Sequence, residues 1–285
     1  MSIDDVLKIP KIGEVKAKLH GTLEGKLKTV TISMGKTGKD YPSLLFDDGL
    51  PELEISSEGK AIGIDVGLTH FAIISDCSKF DNPKPLKERE ENLKFKEHSL
   101  SRKEKGSKRR GKARRIVARV NEPSANTSKH FQHKLLSRKL VKDNQVILVE
   151  NRAVKNMVNN HCEAKAISDC GWSEFTQQLT YKAQKDGKTY LEIGRFFPLS
   201  KICHVDLNQV GSLPLNVRSW TCSKFQEKHD RDVNPAINIL HEGLRIVALA
   251  TSATASGGNV RPHVVRNSSV SEAVAVEARS PRSIS

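Results

Sequence analysis

The segment Gly59–Ile73, GKAIGIDVGLTHFAI, decides the fold. Within it AIGIDVG (residues 61–67), followed by HFAIISD (residues 70–76), gives two short apolar runs separated by only a few residues. That pattern reads as a β-hairpin whose first strand ends on a carboxylate, Asp65. Gly63 and Gly67 flank the acid and would let backbone or ligand approach it closely. A further apolar run, NQVILVE at residues 144–150, is continuous rather than alternating, as expected of a strand covered on both faces, and it also ends on an acid, Glu150. Later, HDRDVNPAINILHEGLRIVALA (residues 229–250) sets Asp232 just before a predicted helix. Asn234 and Pro235 supply its cap and first turn, and Ile237, Ile239, Leu240 and Leu244 its inner face.

In an open α/β sheet, strand ends and helix starts gather along one edge, so Asp65, Glu150 and Asp232 are expected to converge although far apart in the chain. A single Asp at a strand end is usually a turn residue or a helix cap. Three acids in the order strand, strand, helix have a chemical use. They can hold a pair of hard divalent cations roughly 3.5–4 Å apart that activate a water and stabilise the leaving oxygen in phosphodiester cleavage.

Composition narrows the setting. With 285 residues and 37% hydrophobic content the chain can bury one sizeable core plus a small module. The formal charge of +14 favours a polyanionic partner. Its densest part is SRKEKGSKRRGKARRIVARV: Arg102, Lys103, Lys105, Lys108, Arg109, Arg110, Lys112, Arg114, Arg115 and Arg119 are ten basic residues in eighteen against one acid. Such a run suits a phosphate backbone, the plain alternative being a solvated helix face. Five scattered cysteines, Cys77, Cys162, Cys170, Cys203 and Cys222, argue against a disulfide framework and for a reducing compartment. With no long apolar run and no signal-peptide centre at the start, a soluble, cytoplasmic protein is expected, acting as a monomer.

Five regions follow. Residues 1–58 alternate apolar and polar positions (EVKAKLHG, KLKTVTISMG, DYPSLLF), as short antiparallel strands, and end in an acidic Pro/Gly/Ser linker. Residues 59–199 carry the first sheet motifs, a charged helical segment at 86–140, an amphipathic helix at 163–185 and a strand at 189–197. Residues 200–228 resemble a ribbon, residues 229–250 bring the last acidic motif, and residues 251–285 read as a disordered tail.

GKAIGIDVGLTHFAI, NQVILVENRAVKNM and RSWTCSKFQEKHDRDVNPAINIL together closely resemble the OrfB/TnpB family of insertion-sequence proteins, RNA-guided endonucleases related to miniature type V CRISPR effectors. The resemblance covers roughly residues 8–250. It implies an α/β, RNase H-like nuclease domain of the RuvC type with an N-terminal β-barrel wedge module and an inserted zinc ribbon. The acidic triad maps onto Asp65, Glu150 and Asp232, the last preferred over Asp230. It further implies Mg²⁺-dependent cleavage of target DNA chosen by pairing with a transposon-derived guide RNA.

Three departures from the family pattern stand out. The chain starts in what looks like the middle of the wedge barrel, so a partial barrel with exposed edges is expected. Pro123 falls where the family continues a long helix, and a kink or break is expected there. In the ribbon, CHVDLNQVGSLPLNVRSWTCSKFQ, each knuckle holds one cysteine where two are usual: Asp206 follows Cys203 and Phe225 follows Cys222. Structural zinc wants four tetrahedral ligands, and Phe supplies none. His204 and His229 lie nearby in sequence but not where the missing sulfurs belong. Half a ribbon of Cys203, Cys222 and Asp206 thus points away from tight Zn²⁺ binding. The leading expectation is an RNA-guided DNA endonuclease, in a truncated copy with impaired activity. The alternatives are a non-cleaving RNA- or DNA-binding repressor and an inactive remnant.

Overall fold

The computed structural model describes residues 3–9, 13–19, 25–83, 89–152, 164–194, 197–211, 213–214 and 216–255. Cys162 and the tail from residue 256 onward lie outside the described residues. The chain divides into two compact units, Met1–Glu52 with Pro85–Asn126, and Leu53–Lys84 with Thr127–Ser285.

In the first unit, β1 (Ile3–Ile9) pairs antiparallel with β2 (Gly13–Leu19), and β3 (Lys26–Met34) with β4 (Asp40–Asp47). The two hairpins are separate two-stranded sheets, so no barrel closes among the described residues. Leu27, Ile32, Met34 and Leu45 are accordingly exposed. Two helices follow, α1 (Glu90–Ser101) and α2 (Lys108–His130), the latter belonging to this unit up to Asn126.

Glu122 on α2 ties the unit together, accepting from Lys39 Nζ at 3.0 Å and from the Tyr41 hydroxyl at 3.4 Å. This clasp accounts for a difference from the division expected of the sequence: residues 85–126 group with the N-terminal hairpins. Pro123 does not break the helix. It lies inside α2, and α geometry gives way only at Phe131–Ser137, which is π-helical.

The second unit is built on a five-stranded mixed sheet. β5 (Ala61–Val66) and β6 (His70–Ile74) form the expected hairpin, and β7 (Lys79–Asp81) extends it. After α3 (Arg138–Asp143), β8 (Val146–Glu150) pairs parallel with β5. Helices α4 (Ala164–Cys170) and α5 (Trp172–Lys185) lead to β9 (Thr189–Ile193), parallel to β8. The order is β7-β6-β5-β8-β9. A small hairpin, β10 (Ser219–Thr221) with β11 (Lys228–Asp230), precedes the last helix, α6 (Val233–Ala255).

Where one amphipathic helix is expected over 163–185 there are two. Gly171 adopts φ 63°, a left-handed conformation that ends α4, and the Gln132 side chain donates to the buried Cys170 carbonyl at 2.6 Å. The last helix also outruns its expected limit, continuing to Ala255, and Leu244 is exposed rather than on its inner face.

Strand alternation sorts the sheet's two faces. Ile62, Ile64, Val66, Ile147 and Val149 pack with Leu136, Trp172, Phe175 and Leu179. Val146, Leu148, Leu191 and Ile193 pack on the other face with Ile239 and Leu240 of α6. Gly63 lies on this second face, and a Cβ there would overlap the Ala236 carbonyl oxygen and come within 2.6 Å of Leu240 N. The glycine is thus required by the backbone of α6 crossing β5, which is the backbone approach that the sequence suggested. No described helix is long and apolar enough to cross a membrane.

Candidate active site and ribbon

Asp65 shares the α6 face with Gly63 by the two-residue repeat of β5, as Glu150 does with Leu148 on β8. The parallel register ends with Ile64 opposite Val149, so both carboxylates emerge side by side one residue later. Asp65 pairs across the hairpin with Ile73, and Ile73 packs against Val233 and Ala236 in the first turn of α6. Asp232, immediately before Val233, is therefore carried to the same end of the sheet.

The two strand acids share a cation. Arg152 donates from Nη2 to Asp65 Oδ1 at 2.8 Å and from Nε to Glu150 Oε2 at 2.9 Å, with its guanidinium 5.5 Å from the Trp172 ring centre. Burial pushes the Asp65 carboxyl up to about 6, Arg152 opposing and Glu150 reinforcing the shift. Burial also opposes the charge on Arg152, but Asp65 and Glu150 outweigh it and hold the guanidinium above its ordinary range.

A small cleft of about 40 Å³ opens beside Glu150, Arg152, Trp172, Thr176 and Glu192, large enough for a few waters or ions and too small for a base. Glu192 accepts from Asn151 Nδ2 at 2.8 Å and from the Tyr190 hydroxyl at 3.0 Å. Arg152 and Glu192 were missed from sequence. The signals were an arginine two residues past a strand-end acid, and an acid inside the apolar run TYLEI.

At the start of α6 the two nearby acids differ in use. Asp230 Oδ1 accepts the backbone N–H groups of Asp232 at 2.8 Å and Val233 at 3.2 Å, and its Oδ2 takes Lys79 Nζ at 2.7 Å. Asp230 is the cap, whereas Asp232 has Arg218 Nη1 at 4.0 Å. Asn234, the expected cap, is buried and instead bonds the His204 backbone N–H, His204 Nδ1 and the Ile202 carbonyl. One turn on, Asn238 donates to the Leu199 and Ile202 carbonyls, both at 2.8 Å. Polar residues four apart on α6 thereby pin the start of the ribbon.

The carboxylates of Asp65, Glu150 and Asp232 are not gathered into one tight cluster. Among the described residues, the group of three potential ligands whose atoms all lie within 4.8 Å of one another is Cys203, Asp206 and Cys222. Cys222 Sγ is 3.7 Å from both Asp206 oxygens, and Cys203 Sγ is 3.2 Å from His229 Nε2. Burial pushes the Cys203 thiol up, while the backbone N–H groups of Phe225 and Lys224 hold the Cys222 thiol below its ordinary value.

Of the ten residues of the basic run, eight are exposed and Lys103 and Arg110 are half-buried. None of the ten forms an ion pair within 4.0 Å among the described residues. Arg110 is structural: its Nη1 donates to the Lys103 carbonyl at 2.6 Å and the Leu100 carbonyl at 3.3 Å, closing the turn between α1 and α2.

Residues 50–161 match the family model described as "Probable transposase" (OrfB, IS605 type), and residues 172–239 match the model of the TNB domain of Cas12f1-like proteins. A Streptomyces pristinaespiralis protein named "Putative RNA-guided DNA endonuclease" is 40% identical over 234 residues, 82% of this chain and 56% of that protein. Escherichia coli K12 InsQ, with the same description, is 26% identical over 255 residues, 84% of this chain and 62% of InsQ. The chain thus spans little more than half the length of these relatives. A Cas12f1 chain from a cryo-EM complex with sgRNA and target DNA aligns over 75% of this chain and 56% of its own, at 14% identity and a TM-score of 0.45.

Proposed function

Because the chain belongs to the OrfB/TnpB family of insertion-sequence proteins, we propose that it is an RNA-guided DNA endonuclease whose phosphodiester hydrolysis is centred on Asp65, Glu150 and Asp232. The observation that carries this reading is the pair of carboxylates leaving adjacent parallel strands, Asp65 and Glu150, bridged by one guanidinium. The sheet, an antiparallel hairpin followed by two parallel strands, supports an RNase H-like, RuvC-type domain.

The donor set fits hard divalent cations: oxygen ligands, mostly buried, at a point already occupied by positive charge. Asp65 and Glu150 would hold Mg²⁺, with Asp232, just before the start of α6, as the third ligand. Bound there, two such ions supply an activated water and stabilise the leaving 3′ oxygen. Arg152 balances the two acids until the metal takes that place, and Asp230 keeps Asp232 aimed by capping the helix behind it. The exposed basic residues of α2 supply the sequence-independent hold on phosphate that a guide RNA or displaced strand needs.

The test is to purify the protein with its co-expressed transposon-end RNA and supply a matched DNA target with Mg²⁺. Cutting of the matched and not the mismatched target, lost in Asp65→Ala, is expected. Binding of RNA and DNA without cutting by the wild type would favour a repressor.

A further inference from the structure

The ribbon's two knuckles fold alike although their sequences no longer match. In each, the backbone N–H four residues past the cysteine donates to the cysteine carbonyl: Leu207 to Cys203 at 3.0 Å, Gln226 to Cys222 at 2.9 Å. In each, the cysteine N–H donates to the carbonyl five residues on: Cys203 to Asn208 at 3.0 Å, Cys222 to Glu227 at 2.8 Å. Both turns use a left-handed residue at the same place, Leu207 at φ 58° and Gln226 at φ 57°. Neither is glycine, and such a conformation persists only where its surroundings hold it. This is a frame for presenting two thiolates and the residues at the third position after each.

Those third positions hold Asp206, which faces the sulfurs, and Phe225, which is 58% exposed and turned away. A different residue faces the sulfurs from the opposite strand. β10 and β11 pair Trp220 with His229, so the imidazole shares the face of Trp220 and, two residues on, of Cys222. Trp220 packs on the ring at 4.4 Å between centroids, His204 stands edge-on at 4.7 Å, and His229 is 1% exposed. Its Nε2 meets Cys203 Sγ at 3.2 Å, while its Nδ1 is a buried nitrogen with no hydrogen-bond partner. A buried imidazole whose ring nitrogen stands beside a cysteine sulfur is placed to share that sulfur's metal ion.

We propose that His229 replaces the lost fourth cysteine, so that Cys203, Asp206, Cys222 and His229 form a closed structural zinc site. Tetrahedral zinc with sulfur ligands at roughly 2.3 Å and nitrogen or oxygen at roughly 2.0 Å spaces neighbouring donors about 3.5–3.8 Å apart. The 3.7 Å between Cys222 and Asp206 matches that spacing, and the 3.2 Å between Cys203 and His229 opens slightly when an ion enters. His229 is not within the 4.8 Å span that unites the other three ligands, so closure draws the imidazole or the Asp206 carboxylate inward. Two thiolates, an imidazole and a carboxylate form a mixed set that zinc accepts. The proposed site runs against the expectation that half a ribbon points away from tight zinc binding: the missing ligand would come from β11, seven residues after Cys222 and not three.

Metal content and cobalt spectra of the full-length protein test this without any nuclease assay, so the outcome is independent of the proposed activity. After dialysis, wild type is expected to retain one equivalent of zinc. Cobalt in its place should give intense d–d bands of four-coordinate geometry with thiolate charge transfer. His229→Ala should lose the zinc, and His229→Cys should keep it with the charge-transfer band strengthened by a third thiolate. If His229→Ala fails to fold, the His229→Cys spectrum decides. A cobalt spectrum unchanged in His229→Cys, zinc retained undiminished by His229→Ala, or no zinc in wild type would each overturn the assignment.

Discussion

Arg152 donates from Nη2 to Asp65 at 2.8 Å and from Nε to Glu150 at 2.9 Å, so one guanidinium does for two carboxylates what a divalent ion would do. Removing it leaves two largely buried acids facing each other, a situation that costs several kcal/mol when fully buried and less with partial exposure. Arg152→Ala should lower stability by about 2 kcal/mol in chelator. Thermal melts with and without Mg²⁺ should show that the ion recovers much of that loss, and stabilises the variant more than wild type. Equal Mg²⁺ effects on both would separate Arg152 from the metal site.

The Asp65 carboxyl, raised to about 6, sets a pH dependence with a definite sign. In the unfolded chain it titrates near its ordinary value of 3.8. Between these values the folded state binds the extra proton, so this group's contribution falls as pH rises. The penalty is absent below about pH 4 and complete above about pH 6, amounting to about 2–3 kcal/mol. Asp65→Asn should flatten that segment of the stability curve. Mg²⁺ affinity should run the other way, falling about tenfold per unit of pH below about 6, because the ion competes with the proton. Calorimetric titration across that range checks both.

Asn238 serves two carbonyls, Leu199 and Ile202, each at 2.8 Å and buried. Asn238→Leu strands the Leu199 carbonyl and leaves Ile202 to Asn234 alone, and should destabilise the fold by about 1–2 kcal/mol. Urea denaturation measures it. The loss should be accompanied by faster hydrogen exchange at Cys203–Asn208, whose turn begins where Asn238 holds it.

On α2 the charges separate by role. Arg109→Ala, Lys112→Ala or Arg115→Ala should each weaken RNA binding and reduce the slope of log affinity against log salt by about 1. Arg110→Ala, whose side chain closes the turn between α1 and α2, should lower stability and change that slope least.

Much of this was legible from periodicity. The continuous run VILVE marked a strand covered on both faces, and the hairpin around Asp65 followed from two apolar runs and a tight turn. What escaped depends on contacts between distant segments. Gly63 signalled a close approach, but the sequence does not show that the backbone concerned is that of α6; Gly63→Ala would force that helix away. Asn234 has the composition of a cap, but a buried capping residue with His204 and Ile202 within reach bonds them, and Asp230 takes the cap. His229 lies outside the usual ligand spacing, but pairing with Trp220 turns its ring into the ribbon, where Nε2 meets Cys203 Sγ.

The central claim, that Asp65, Glu150 and Asp232 together hold the ions that cut DNA, is tested most directly by guided cleavage with single substitutions. In Mg²⁺, with the co-purified RNA and a matched target, Asp65→Ala, Glu150→Ala and Asp232→Ala should each abolish cutting while RNA and target remain bound. Asp230→Ala should be less stable yet still cut. Cutting at the wild-type rate by Asp232→Ala or by Asp65→Ala would contradict the account.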